Sequence, residues 1–176
     1  HLREKVATCR YSISGFPSLY MGTSLALCVE ESIQKSARLF IGSRFQLNRS
    51  TRDNGNINIQ VMDLSIKPQD FLKGLDAEEN ALYNQEDGSD LARRYLYWYP
   101  LIAACSFIRK SKSDPFSPEY IIPQLLMQWI REQYKKPIHH KELIGIRYFS
   151  CASRKSAELG FNYVFPVSGK SEESLG

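Results

Sequence analysis

Early in the chain an arginine, a tyrosine and a pair of carboxylates follow one another in the stretch Cys9 to Glu31: Arg10, Tyr20 and the doublet Glu30-Glu31. An arginine offers a planar fork of N–H donors that matches phosphate or carboxylate groups. A carboxylate accepts from hydroxyls and steadies positive charge. A tyrosine brings a ring to stack and a hydroxyl to bond. Much later, Ser150 and Asn162 add a hydroxyl and an amide. Taken singly, each has an ordinary explanation: Arg10 an exposed strand residue, Tyr20 a core residue, Glu31 a helix-surface partner of Lys35, Ser150 a strand end. Taken together they are a set that a binding cleft could use.

The elements that must position them follow from periodicity. Val6 to Tyr11 alternates, with Ala7, Cys9 and Tyr11 on one face and Arg10 on the polar face, which predicts a strand. Ser14-Gly15-Phe16-Pro17 is turn chemistry, and Ser18 to Met21 reads as a second strand. Thr23 or Ser24 caps a helix in which Leu25, Cys28, Val29 and Ser32 share one face and Leu27, Glu31 and Lys35 another. Glu30 and Glu31 stand about 100° apart on that helix, so only one can point into a cleft. Ala37 to Leu47 and Ile57 to Ile66 read as strands.

From about residue 67 to 137 the pattern is helical. A short helix is expected over Lys67 to Gly74, then an acidic loop from Leu75 to Gly88. A helix over Ser89 to Tyr99 is broken or restarted at Pro100 and resumes over Leu101 to Ile108. Ser117-Pro118 opens another, apolar over more than half its circumference and therefore expected to be largely buried. Leu143 to Ser150 and Phe161 to Val167 return to strand. In the former, Ile144, Ile146, Tyr148 and Ser150 share a face. Strands, a helical block and strands again favour α+β in one domain over 1–176.

The 176 residues carry a formal charge of +4, with 43% hydrophobic and 12% aromatic side chains. That supports one sizeable core and suits an anionic small molecule, but is too weakly basic to argue for nucleic acid. Cys9, Cys28, Cys105 and Cys151 form no Cys-x-x-Cys pair, and the adjacent His139-His140 diverge, so no metal is expected. The thiols read as buried and reduced, as in a cytoplasmic protein. No apolar run would span a bilayer and no signal peptide is read. The start at His1 and the polar close at Ser168 to Ser174 suggest a piece of a longer protein. No phosphate loop, Gly-x-Ser-x-Gly or His-Glu-x-x-His occurs. Tyr97, Trp98, Tyr99 and Trp129 are expected to pack the core rather than form a partner surface.

The order and spacing of Arg10, the Gly15-x-Pro17-x-Leu19-Tyr20 turn, Glu31, the strand Gly145-Ile146-Arg147-Tyr148-x-Ser150 and the closing Phe161-Asn162-Tyr163-Val164-Phe165 resemble the RES family. The helix Pro118 to Leu126 is similar to members that carry a helical block, and the resemblance runs from Cys9 to Val167. It implies a fold similar to ADP-ribosyltransferase toxins: a split mixed or antiparallel sheet with flanking helices, here with a helical insertion. It implies a bacterial toxin or defence effector that consumes NAD⁺ by breaking its nicotinamide–ribose bond, by hydrolysis or by phosphorolysis with inorganic phosphate, without a metal.

Carried onto this sequence, the resemblance makes Arg10, Tyr20, Glu31 and Ser150 the catalytic positions, and Arg10, Tyr20, Ser150 and Asn162 the NAD-binding ones. Arg10 would meet the pyrophosphate or a phosphate nucleophile. Glu31 would steady an oxocarbenium-like ribose or hold its hydroxyls. Tyr20 would stack on nicotinamide, and Ser150 would bond its amide or the ribose. An antitoxin or regulatory domain is an implied partner, and a homodimer stays open. Two other readings also stay open: an ADP-ribosyltransferase modifying a macromolecule, and a non-catalytic domain binding a nucleotide or a partner.

Overall fold

The computed structural model describes residues 5–32, 39, 41–46, 58–67, 87–110, 116–135, 141–151 and 154–167. In chain order the elements are β1 (Ser18–Gly22), α1 (Leu25–Ser32), β2 (Asn58–Leu64), α2 (Asp87–Ser106), α3 (Ile121–Lys135, entered through a 3-10 turn at Pro118–Tyr120), β3 (Lys141–Phe149), α4 (Arg154–Glu158) and β4 (Phe161–Pro166). The strands form one sheet in the order β1-β4-β3-β2. β4 runs antiparallel to both β1 and β3, and β2 runs parallel to β3, which makes the sheet mixed. The two helices α2 and α3 fall in the connection between β2 and β3, as a parallel pair requires a long crossover.

Register decides which residues meet. Cross-strand partners share a face, so Gly22, Asn162, Tyr148 and Leu64 form one row across the sheet. Tyr20, Val164, Ile146 and Met62 form the next row on the same face. The core lies over this face. Leu64, Ile146, Tyr148 and Val164 pack with Tyr11, with Tyr95, Ile102 and Cys105 of α2, and with Met127 and Ile130 of α3. Each aliphatic side chain buried there contributes about 1.5–3 kcal/mol relative to exposure. On the other face, Tyr163 stacks on Phe165 and Arg147 lies over Phe161 while pairing with Asp63 at 3.1 Å.

Two irregularities fit β3 into place. Leu143 and Gly145 stand opposite Gln60 and Val61, so Ile144 is the extra residue of a bulge. A Cβ at Gly145 would lie 2.5 Å from the Val164 carbonyl and 2.6 Å from the Phe165 ring. Only glycine allows β4 to approach so closely here.

Several expectations are corrected. Val6 to Tyr11 is not a strand: residues 6–8 are irregular, and Cys9 and Ser12 close a tight turn through reciprocal backbone hydrogen bonds of 2.9 and 3.2 Å. The alternation there came from Tyr11 alone being buried. Residues 41–46 of the strand expected over Ala37 to Leu47 are irregular, and Ile41 and Phe45 are exposed. Pro100 sits inside α2 without ending it. Its missing N–H frees the Leu96 carbonyl, and residues 96–100 face solvent, where water can satisfy that oxygen.

The helix begun at Ser117-Pro118 is not largely buried. Pro123, Met127 and Ile130 face the core, whereas Ile121, Ile122, Leu125 and Trp129 are exposed. Tyr97, Trp98 and Tyr99, expected in the core, are exposed as well. Ser117 makes no side-chain cap bond. Of the four free cysteines only Cys105 is buried; Cys9 is exposed. Of the expected helix at 67–74 all but Lys67, most of the loop at 75–88 and His139-His140 lie outside the described residues. Among the described residues no helix is long and apolar enough to cross a membrane.

Candidate functional site

The turn Cys9–Ser12 carries Arg10 to the end of α2. Arg10 Nη1 donates to the carbonyls of Cys105 and Phe107, both at 2.9 Å. These oxygens belong to the last turn of α2 and the residue just beyond it, where helix carbonyls lack N–H partners and the backbone dipole is negative. A guanidinium is the natural cap. Its carbon lies 5.2 Å from the centre of the Tyr120 ring, and that of Arg109 lies 5.9 Å from the same ring. The other N–H groups of Arg10 make no hydrogen bond to a described residue. One corner of the fork is anchored, and the residue is half-buried.

Tyr20 holds that turn in place. Its hydroxyl accepts from the Tyr11 N–H at 3.0 Å and shares a hydrogen bond with Ser12 Oγ at 3.0 Å. The Gln124 amide of α3 donates to the Cys9 carbonyl at 3.0 Å and to that of Ser12 at 3.4 Å. The turn is therefore tied to both β1 and α3. Burial of the Tyr20 hydroxyl pushes it up to about 12, against the opposing hydrogen bonds from Ser12 and Tyr11. Tyr20 as a whole remains 38% exposed.

Glu31 comes from α1. Ser24 caps this helix, accepting from the Leu27 N–H at 3.1 Å and donating to the Leu159 carbonyl at 2.8 Å. Leu27 is buried and Leu25 is exposed, so the face shared by Leu27 and Glu31 is the one turned to the sheet. Gly22 makes room for it: a Cβ there would meet Cys28 Sγ at 2.7 Å. At the end of α1, Glu31 Oε1 accepts from Asn162 Nδ2 at 2.7 Å. Asn162 is itself buried and stands directly opposite Tyr148 on β3.

Ser150 lies two residues beyond Tyr148 and is 2% exposed. Its Oγ is 2.7 Å from Ser156 Oγ of α4. This hydroxyl ties β3 to α4 and is turned away from solvent.

Tyr148 is the residue around which the others gather. Its ring packs on Tyr11 at 4.9 Å. Its hydroxyl is pushed well up, first by burial, then by the negative charge of Glu31 and by Tyr20, with Arg10 opposing. The Cys151 thiol is also raised by burial, with Arg10 lowering it and Glu31 raising it. Tyr11, the chain neighbour of Arg10 and the hydrogen-bond partner of Tyr20, packs on Tyr148, and Asn162, the partner of Glu31, stands opposite it. An arginine fork, a braced carboxylate and a partly exposed tyrosine are group types that can hold a molecule with anionic and hydroxyl groups. The sequence placed Tyr148 on one face of its strand with Ser150 and within the Gly145 to Ser150 motif, but gave Tyr148, Tyr11 and Gln124 no part in the site. The shared period-2 face of Tyr148 and Ser150 was the available signal. No group of three metal-ligating side chains occurs among the described residues.

Over 169 residues the chain is 32% identical to the protein named "Putative toxin YopC" of Bacillus subtilis (strain 168), a match that takes in 94% of this chain and 35% of that protein. The chain thus spans about a third of the length of this curated relative. No family model matches the chain, and no solved structure matches it.

Proposed function

We propose that this chain is an NAD⁺-consuming enzyme of RES type, with an ADP-ribosyltransferase-like fold, acting as a bacterial toxin. The observation that carries the proposal is that Tyr148 packs on Tyr11, beside Arg10, and stands opposite the Asn162 that braces Glu31. The name of the YopC relative supports the toxin role. In the reaction the C–N bond between ribose and nicotinamide breaks, and its electron pair leaves with nicotinamide, neutralising the pyridinium. The ribose becomes oxocarbenium-like, and water or inorganic phosphate adds to it with loss of a proton.

Glu31 faces the developing positive charge, held by Asn162 so that it need not reorganise. Arg10 takes the pyrophosphate with the N–H groups not engaged by the α2 carbonyls. Tyr20, which is partly exposed, stacks its ring on nicotinamide. Ser150 supports the floor through Ser156, and the partner that restrains the enzyme is an antitoxin or a regulatory domain. The test is purified protein with NAD⁺, following free nicotinamide with and without inorganic phosphate. Release above blank in wild type, lost in Glu31→Gln, is expected. A folded, uninhibited wild type that releases none refutes the reading.

A further inference from the structure

The Tyr148 hydroxyl has a surrounding unlike that of its ring. The residue is 9% exposed and its ring belongs to the core, stacked against Tyr11. Buried phenols ordinarily find a hydrogen-bond partner. This hydroxyl makes none to a described residue, and it is not among the fully enclosed polar atoms. Tyr11, packed against its ring, is the chain neighbour of Arg10 and donates its N–H to the Tyr20 hydroxyl. Asn162, its cross-strand partner, has its amide turned to Glu31.

We infer that the Tyr148 hydroxyl contacts substrate, donating a hydrogen bond to a hydroxyl of the ribose that carries the leaving group. This rests on the NAD⁺-cleaving reading above. A dinucleotide with its pyrophosphate at Arg10 and its scissile bond at Glu31 places that ribose between the two, where the unpartnered phenol lies. The phenol acts as a donor rather than a base: burial and the Glu31 carboxylate both disfavour its phenolate, so it holds its proton at neutral pH. The rigid ring, clamped between Tyr11 and the sheet, fixes the donor's direction without a flexible stem.

The experiment compares wild type, Tyr148→Phe and Tyr163→Phe on NAD⁺ and on two analogues that lack the 2′- or the 3′-hydroxyl of the nicotinamide ribose. Tyr148→Phe keeps the ring against Tyr11, so its thermal midpoint should match wild type. Its kcat/KM on NAD⁺ should fall about tenfold, the usual worth of one such hydrogen bond. On one of the analogues wild type and Tyr148→Phe should become equal, because the bond's other partner is gone. Tyr163→Phe, on the opposite face against Phe165, should behave as wild type throughout. Unchanged kcat/KM in Tyr148→Phe on NAD⁺, or a penalty that persists on both analogues, overturns this inference and leaves the NAD⁺-cleaving reading standing. A wild type that releases no nicotinamide removes both.

Discussion

The carboxamide of Asn162 donates to the carboxylate of Glu31 across 2.7 Å, joining residues 131 positions apart in the chain. A helix end and a central strand meet there, and Glu31 is the member of the Glu30-Glu31 doublet that bonds Asn162. Glu31→Gln keeps an acceptor for Asn162 and nearly the same volume. It should fold as wild type, yet lower the rate of nicotinamide release by about 10²–10³-fold, the range for losing an electrostatic stabiliser in a preorganised site. Glu30→Gln should stay within about twofold of wild type. Equal losses in both variants would show that the doublet acts through net charge and not through position.

Arg10 bonds the carbonyls at the end of α2, and in the proposed reaction it also takes the pyrophosphate; a pair of substitutions can separate the two. Arg10→Ala removes both bonds to the α2 carbonyls and should destabilise the fold by about 2 kcal/mol, read from urea unfolding. Arg10→Lys retains a charge at the helix end and should recover most of that stability. Lysine has no fork, so KM for NAD⁺ should remain raised about tenfold or more. Full recovery of KM by lysine would mean that a point charge suffices.

Alkaline unfolding should report on Tyr20. Its folded value of about 12 lies above the ordinary tyrosine value near 10. Above pH 10 the unfolded chain loses the proton while the folded chain keeps it, so stability falls as pH rises toward 12. The contribution is complete below pH 10. Buried Tyr11 and Tyr148 shift in the same direction and steepen the fall. Tyr20→Phe should lower stability at neutral pH, because the Tyr11 N–H and Ser12 lose a partner, and should make the decline above pH 10 shallower. A slope as steep as wild type would place the alkaline sensitivity elsewhere.

Gly145→Ala tests the close approach of β3 and β4. The added methyl must displace the Val164 carbonyl or the Phe165 ring. A loss of about 1–3 kcal/mol is expected, as for overpacking, measured as a lowered midpoint in urea with an unchanged slope. The β4 register that sets Asn162 opposite Tyr148 would be disturbed, so activity should fall more than stability predicts. Wild-type stability in this variant would show that β4 has slack.

Local patterns in the chain announced β1, the Ser24-capped α1, β2, β3 and β4 close to where they occur, because strand alternation and helix capping depend on neighbouring residues. They misled where burial did the deciding. The alternation of Val6 to Tyr11 belongs to a turn held by Tyr20 and Gln124, partners that lie 9 and 115 residues from the bonded atoms. Pro100 is tolerated because its stretch of α2 is solvated, and solvation is a tertiary property.

Residue type and order alone determined that Arg10, Tyr20, Glu31, Ser150 and Asn162 deserved attention, and that the chain alternates strand and helix. Tertiary structure decided that Arg10 caps α2, that Tyr20 spends its hydroxyl on the turn, that Glu31 and not Glu30 finds Asn162, that Ser150 turns to Ser156, and that Tyr148 lies among the others. The reason is physical. Chemical identity resides in the single residue, and short-range conformation in its neighbours. Hydrogen-bond partners and exposure depend on the register of β4 between β1 and β3, and on which helix face the core covers.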